Sequence, residues 1–154
     1  MKISKKIETR MLENAAFASG NHVLEAIAHN IALEFEVQED TSKRLPEDNR
    51  SNLYRVWHST RAFDSGLRMF LEKHGRVPAE PREHGLGGYL HALQHLDGYT
   101  GFRQLDGNTA SAIQSEIVDG RNVYAHAAGK FPTKEEADYM ISKILTYYNQ
   151  IYSL

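Results

Sequence analysis

The chain has 154 residues, of which 41% are hydrophobic and 25% charged, and its formal net charge is −2. That balance describes a globular chain expected to form one domain over 1–154, able to bury roughly 70% of its unfolded surface without a disulfide or structural metal. It excludes nucleic-acid binding by bulk positive charge, so any RNA contact needs a local basic groove. The absence of cysteine excludes a disulfide framework, a thiolate zinc site and a cysteine nucleophile. The start, MKISKKIETRMLEN, has a basic end but no apolar core of signal-peptide length, and no apolar run approaches the ~20 residues of a membrane span. A cytoplasmic protein with no membrane partner is expected.

Residues 3–38 predict helix. Ile3, Ile7 and Met11, then Leu24, Ile27, Ile31 and Phe35, repeat at the spacing of one buried face, with a break or kink at Gly20-Asn21. The polar stretch EDTSKRLPEDNR reads as a loop. A second helix is expected to begin at Pro46, with Glu47 and Asp48 in its first turn and Leu53, Val56, Trp57, Phe63, Leu67, Phe70 and Leu71 as its core stripe. Gly75 suits its C-terminal stop. Residues 75–107 read as an irregular insert with one short helix around Tyr89–His95. Asn108 is the expected N-cap of a helix through Ala110, Ile113 and Ile117, which Gly120 interrupts or kinks. Thr133 and Glu136 form a capping-box pattern after Pro132. Ala137, Met140, Ile141, Ile144, Tyr148 and Ile151 then hold the helical period. No segment alternates with period two. The expected class is all-α, a bundle of four to five helices with a short helical or loop insertion.

Among the histidines, His91 and His95 share a face if helical, the spacing of a zinc pair, but HALQH lacks the glutamate base and a third ligand. They read as a surface pair. His22, His29, His58, His74 and His84 carry no local pattern and read as structural. Gly85-Leu86-Gly87-Gly88 matches neither the P-loop nor the dinucleotide fingerprint, so no cofactor and no metal is expected. Lys2, Lys5, Lys6 and Arg10 read as a solvated helix face.

The segment Arg121-Asn122-Val123-Tyr124-Ala125-His126 carries more chemistry. An imidazole exchanges protons near neutral pH, and a guanidinium stays charged and grips phosphate through two parallel hydrogen bonds. Asn122 and His126 are one helical turn apart, and the Arg121 side chain can swing toward their face. A break at Gly120 would add free helix N-terminal amides for an anion. This set suits metal-independent cleavage of an RNA phosphodiester by its own 2′-hydroxyl, with histidine as acid or base and arginine stabilising the charge on phosphorus. The plainer reading is that Arg121 pairs with Asp119 or Glu116 and His126 packs at a helix end. Spacing alone favours this plainer reading.

The stretch IVDGRNVYAHAAGKFPTKEEADYMISKILTYYNQI resembles the C-terminal part of a HEPN domain, whose motif is an arginine, often followed by asparagine, with a histidine four to six residues beyond. Arg121, Asn122 and His126 match it, small residues follow, and a capped final helix comes next. The resemblance covers about 35 residues of the chain. It implies a HEPN-like helical fold and a metal-independent endoribonuclease that leaves a 2′,3′-cyclic phosphate, working as a homodimer with a composite site at the interface. Arg121 and His126 would be catalytic and Asn122 would orient the motif. It also implies the settings in which such proteins act: toxin–antitoxin pairs, with an antitoxin or other regulatory protein as partner, and abortive-infection or phage defence. Some members are instead non-catalytic modules that bind a partner protein, RNA or a nucleotide. One branch carries a modified tyrosine two residues after the histidine; here that position is Ala128, a departure from that branch.

Overall fold

The computed structural model of the protein describes residues 2, 5–9, 22–44, 48–96 and 103–152, and within these not the side chains of 22–27, 42–44 and 49. Among the described residues the fold is all-helical, with no strand. A helical segment at 5–9 precedes α1 (His22–Arg44) and α2 (Asn49–Lys73). A 3-10 turn (Pro81–Glu83) leads into α3 (Leu86–Gln94). Then come α4 (Gly107–Ile113), a π-helical segment (Gln114–Val118), α5 (Asp119–His126) and α6 (Lys134–Ile151). α1 packs along α2, and the other face of α2 meets α6, α3 and α5.

Local chemistry sets the ends of these elements. α1 runs six residues past 38, through the polar stretch expected to be a loop, since no breaker occurs before Pro46. The start of α2 also differs from expectation. Asp48 is the N-cap, accepting from the Ser51 amide at 2.8 Å while the Ser51 hydroxyl accepts from the Asp48 amide at 3.3 Å. Pro46 and Glu47 lie outside the described residues. α2 ends as expected at Gly75, whose φ of +62° closes a Schellman turn. The Gly75 amide donates to the Glu72 carbonyl at 3.1 Å, and the Arg76 amide to that of Leu71 at 2.9 Å. Asp106, not Asn108, caps α4, because its carboxylate reaches the Thr109 amide at 2.9 Å. The Thr133–Glu136 capping box of α6 forms as expected. The short helix of the insert is α3, three residues further N-terminal than expected at its start.

The core lies where α1, α2 and α6 meet. Ile31, Phe35, Val56, Phe63, Leu67, Phe70 and Leu71 are buried, as are all six apolar positions expected on α6. Leu24 and Ile27 fall among the side chains not described, and Ile3 and Met11 outside the described residues. Each fully buried large side chain contributes on the order of 1.5–3 kcal/mol. Tyr148 is the centre of the aromatic packing: its ring meets Phe35 edge-on at 6.1 Å and stacks on Tyr152 at 4.7 Å. The Tyr152 hydroxyl donates to the Gly66 carbonyl at 3.0 Å. Gly66 permits this approach, since a Cβ there would sit 2.5 Å from Tyr148 Cε2. Two positions expected in the core stripe of α2 depart from it: Leu53 is half-buried and Trp57 is 43% exposed. Trp57 sits one residue from Val56, about 100° around the helix, and the buried stripe runs instead through Ser59 and Thr60.

Candidate functional site

α4, the π segment and α5 form one uninterrupted helix, since every junction residue keeps right-handed helical angles. The π turn widens the coil so that residues five apart align, and the Gln114 amide donates to Asp119 Oδ1 across that spacing at 2.8 Å. Ile117 and Val118 bury one side of the turn. On the other, the Glu116 carboxylate accepts from the Tyr139 hydroxyl at 2.9 Å, from the Tyr147 hydroxyl, and from Lys143 Nζ at 3.2 Å. The Tyr147 hydrogen bond leads in holding the Glu116 carboxyl below its ordinary range, and burial together with Glu116 pushes the Tyr147 phenol up to about 12. Glu116 thus ties the π turn to α6.

The helix does not break at Gly120. A Cβ there would lie 2.7 Å from Met140 Cε, so the glycine serves close packing against α6. The expected interruption is replaced by the π turn just upstream, and no free helix N-terminus arises at 120 to supply amides to an anion. α5 itself buries none of its residues.

Of the three residues singled out in the sequence, two are joined. Arg121 Nη1 donates to Asn122 Oδ1 at 3.2 Å. Arg121 is exposed and Asn122 half-buried. Arg121 makes no ion pair with Asp119 or Glu116, which are bonded to Gln114 and to α6 respectively. It faces instead a groove of about 330 Å³ between α5, α2 and the start of α3, lined also by Trp57, Thr60, Arg61, Asp64, Ser65, Leu86 and Ala125. His126, the last residue of α5, is exposed and stands outside that groove. Within one copy, therefore, arginine and histidine do not face one cavity.

Asp64 is the titratable group at the groove whose environment is most mixed. Burial raises its carboxyl pKa, while the Arg121 and Arg68 guanidiniums pull it back down. Arg61 reaches out of the groove to Glu34 of α1 at 3.1 Å, and the same carboxylate meets His58 Nδ1 at 2.5 Å. Neither Trp57, Arg61 nor Asp64 was singled out as functional from sequence. The readable signal is that positions 57, 61 and 64 share one face of a helix, but the same spacing describes any helix face until α5 is seen packed beside it.

Several other histidines have partners within the fold. His29 Nδ1 meets Glu8 Oε1 at 3.0 Å, and His84 Nε2 donates to the Pro78 carbonyl at 2.8 Å. The His91 and His95 rings lie 4.2 Å apart, and His95 Nδ1 donates to the His91 carbonyl at 2.8 Å, an arrangement that turns one ring nitrogen to the backbone. Among the described residues no group of three or more His, Cys, Asp or Glu could hold a metal, and no helix is long and apolar enough to cross a membrane.

No family model, curated protein or solved structure shows significant similarity to this chain.

Proposed function

We propose that this chain is a metal-independent endoribonuclease of HEPN type, with a composite active site formed where the α5 ends of two copies meet. The observation that carries this reading is the state of α5. It buries no residue, Val123 on its outer side is 46% exposed, and Arg121 and His126 stand in solvent with no ion pair among the described residues. Tyr124 and Gly120 pack α5 on the core, and its outer side, with Arg121 and His126, is left to solvent. A second copy docking on it would bring the two His126 side chains to one scissile phosphate.

In the proposed reaction an imidazole takes the proton of the ribose 2′-hydroxyl. The freed oxygen forms a bond to the adjacent phosphorus, the bond from phosphorus to the 5′-oxygen breaks, and that oxygen receives a proton from the second imidazole. The products are a 2′,3′-cyclic phosphate and a 5′-hydroxyl. Arg121 stabilises the charge on the phosphoryl oxygens, and Asn122, through its 3.2 Å hydrogen bond, restrains the guanidinium. A second reading is a non-catalytic helical module that binds RNA, a nucleotide or a regulatory protein. It is favoured by the position of His126 outside the groove that Arg121 lines.

The test is a mixed pool of single-stranded RNA and its all-DNA counterpart, incubated with the protein in EDTA, with product ends identified by mass. The nuclease reading expects cyclic-phosphate ends from RNA and intact DNA, which lacks the attacking hydroxyl. RNA left intact by folded, dimeric protein selects the binding module.

A further inference from the structure

Trp57 is the only tryptophan in the chain, and it is 43% exposed at the rim of the groove. Arg61 and Ser65 follow it at one-turn spacing on α2, and Thr60 and Asp64 flank them. Arg121 faces them from α5. The exposed aromatic face extends one turn back to Tyr54, which is 50% exposed. The groove's volume of about 330 Å³ lies at the small end of ligand sites, which run to roughly 300–1,000 Å³. We propose that this groove is a stacking subsite for one nucleotide of a single strand, with Trp57 as the base platform and Arg61 and Arg121 as the phosphate grip. The proposal deepens the ribonuclease reading, on which it rests for the identity of the strand.

The chemistry of the lining favours a nucleotide over a protein surface. A protein-docking patch surrounds its aromatic anchor with further apolar side chains. Here the indole shares the groove with two guanidiniums, two hydroxyls and a carboxylate, against two further apolar side chains, Leu86 and Ala125. An aromatic face beside arginines is the combination that binds single strands with little sequence preference, through stacking and charge together. Arg61 already shares its charge with Glu34, so Arg121, which has no ion pair among the described residues, is the principal cation offered to a phosphate. Asp64 opposes a phosphate placed beside it. Its acceptor oxygens suit a ribose hydroxyl or a base amino group, which places the phosphate toward Arg121 and the sugar or base edge toward Asp64.

Trp57 is also its own reporter. The test titrates the full-length protein with a single-stranded 2′-O-methyl RNA, which cannot be cleaved, and reads tryptophan emission. An abasic strand of equal length serves as the charge-only control. The expected result is saturable quenching by the base-bearing strand and none by the abasic one. Binding followed by anisotropy of a labelled strand should weaken about 5- to 150-fold in Trp57→Ala and keep most of its strength in Trp57→Phe. Circular dichroism verifies that both variants fold, as an exposed position allows. The proposal is overturned by strand binding that leaves emission unchanged, by wild-type affinity in Trp57→Ala, or by no strand binding at all. It is equally overturned by emission that shifts with protein concentration and ignores the strand, which assigns this face to a second copy. Because the strand resists cleavage, quenching without any RNA turnover removes the ribonuclease reading and keeps the subsite. Turnover without quenching does the reverse.

Discussion

α5 and α6 are neighbours in sequence and differ in what holds them. α6 buries Ala137, Met140, Ile141, Ile144, Tyr147, Tyr148 and Ile151, and a two-way capping box fixes its start. α5 has no fully buried residue; it is carried by the π turn upstream, which Glu116 fastens to α6, by the contact of Gly120 with Met140, and by half-buried Tyr124 against the core. Residues of α6 are therefore accounted for by packing. Arg121 and His126 are not, and residues without a structural account are where function is sought.

Substitutions should separate the two helices by what they damage. A large effect on activity is expected at Arg121: Arg121→Ala should lower RNA cleavage about 10²- to 10³-fold, the usual loss when a charge-stabilising donor is removed, and shift stability by no more than about 0.5 kcal/mol. Single-turnover rates and thermal melts check both halves. The mirror-image change is Gly66→Ala. Its new Cβ meets the rigid, stacked Tyr148 ring at 2.5 Å, so a loss of about 1–3 kcal/mol is expected by denaturant titration. Gly120→Ala meets only the terminal methyl of Met140, which can swing aside. Alanine also regains up to about 1 kcal/mol of helix propensity, so its net effect should stay within about 1 kcal/mol of zero. A loss at Gly120 as large as at Gly66 would break the contrast between a rigid and a compliant neighbour.

Two carboxylates sharpen the comparison through pH. Burial raises the Asp64 pKa in the folded protein, so the folded state holds its proton longer than the unfolded state does. Asp64 therefore costs stability as pH rises from the unfolded pKa through the folded one. Asp64→Asn should raise the melting temperature at pH 7, and the gain should fade toward pH 3. Glu116 has the opposite sign. Its folded pKa is lowered, chiefly by the Tyr147 hydroxyl, so its contribution is present above the unfolded pKa and is lost as pH falls through the folded one. Glu116→Gln should lower the melting temperature at pH 7 and matter less in acid. Differences that hold steady across that range would contradict both assignments. Solvent screens the Glu116 contribution, because its carboxylate lies near the surface.

The parts legible in sequence are those decided by chemistry within one or two helical turns. The α6 stripe, the Thr133–Glu136 box and the stop at Gly75 depend on near neighbours alone. What could not be read depends on distant partners or on close competitors. Asp106 and Asn108 are both good caps, and only the turn geometry selects Asp106. Trp57 looks apolar and adjoins the core stripe, yet polar Ser59 and Thr60 take the buried face. Gly120 has the composition of a break and acts as a packing contact to a residue twenty positions away. The Arg121-Asn122 hydrogen bond was not read from the sequence, which set Asn122 beside His126 and gave Arg121 Asp119 or Glu116 as its alternative partner. Nor was the groove, because α2, α3 and α5 each supply part of it.

The measurement that tests the central claim most directly pairs two readings on one variant, His126→Ala: the melting temperature and the rate of RNA cleavage in EDTA. The account predicts an unchanged melt, since His126 is exposed and has no hydrogen-bond partner among the described residues, with cleavage reduced about 10²- to 10⁴-fold. Full cleavage by the variant, or a lowered melt that explains the lost activity, would contradict it.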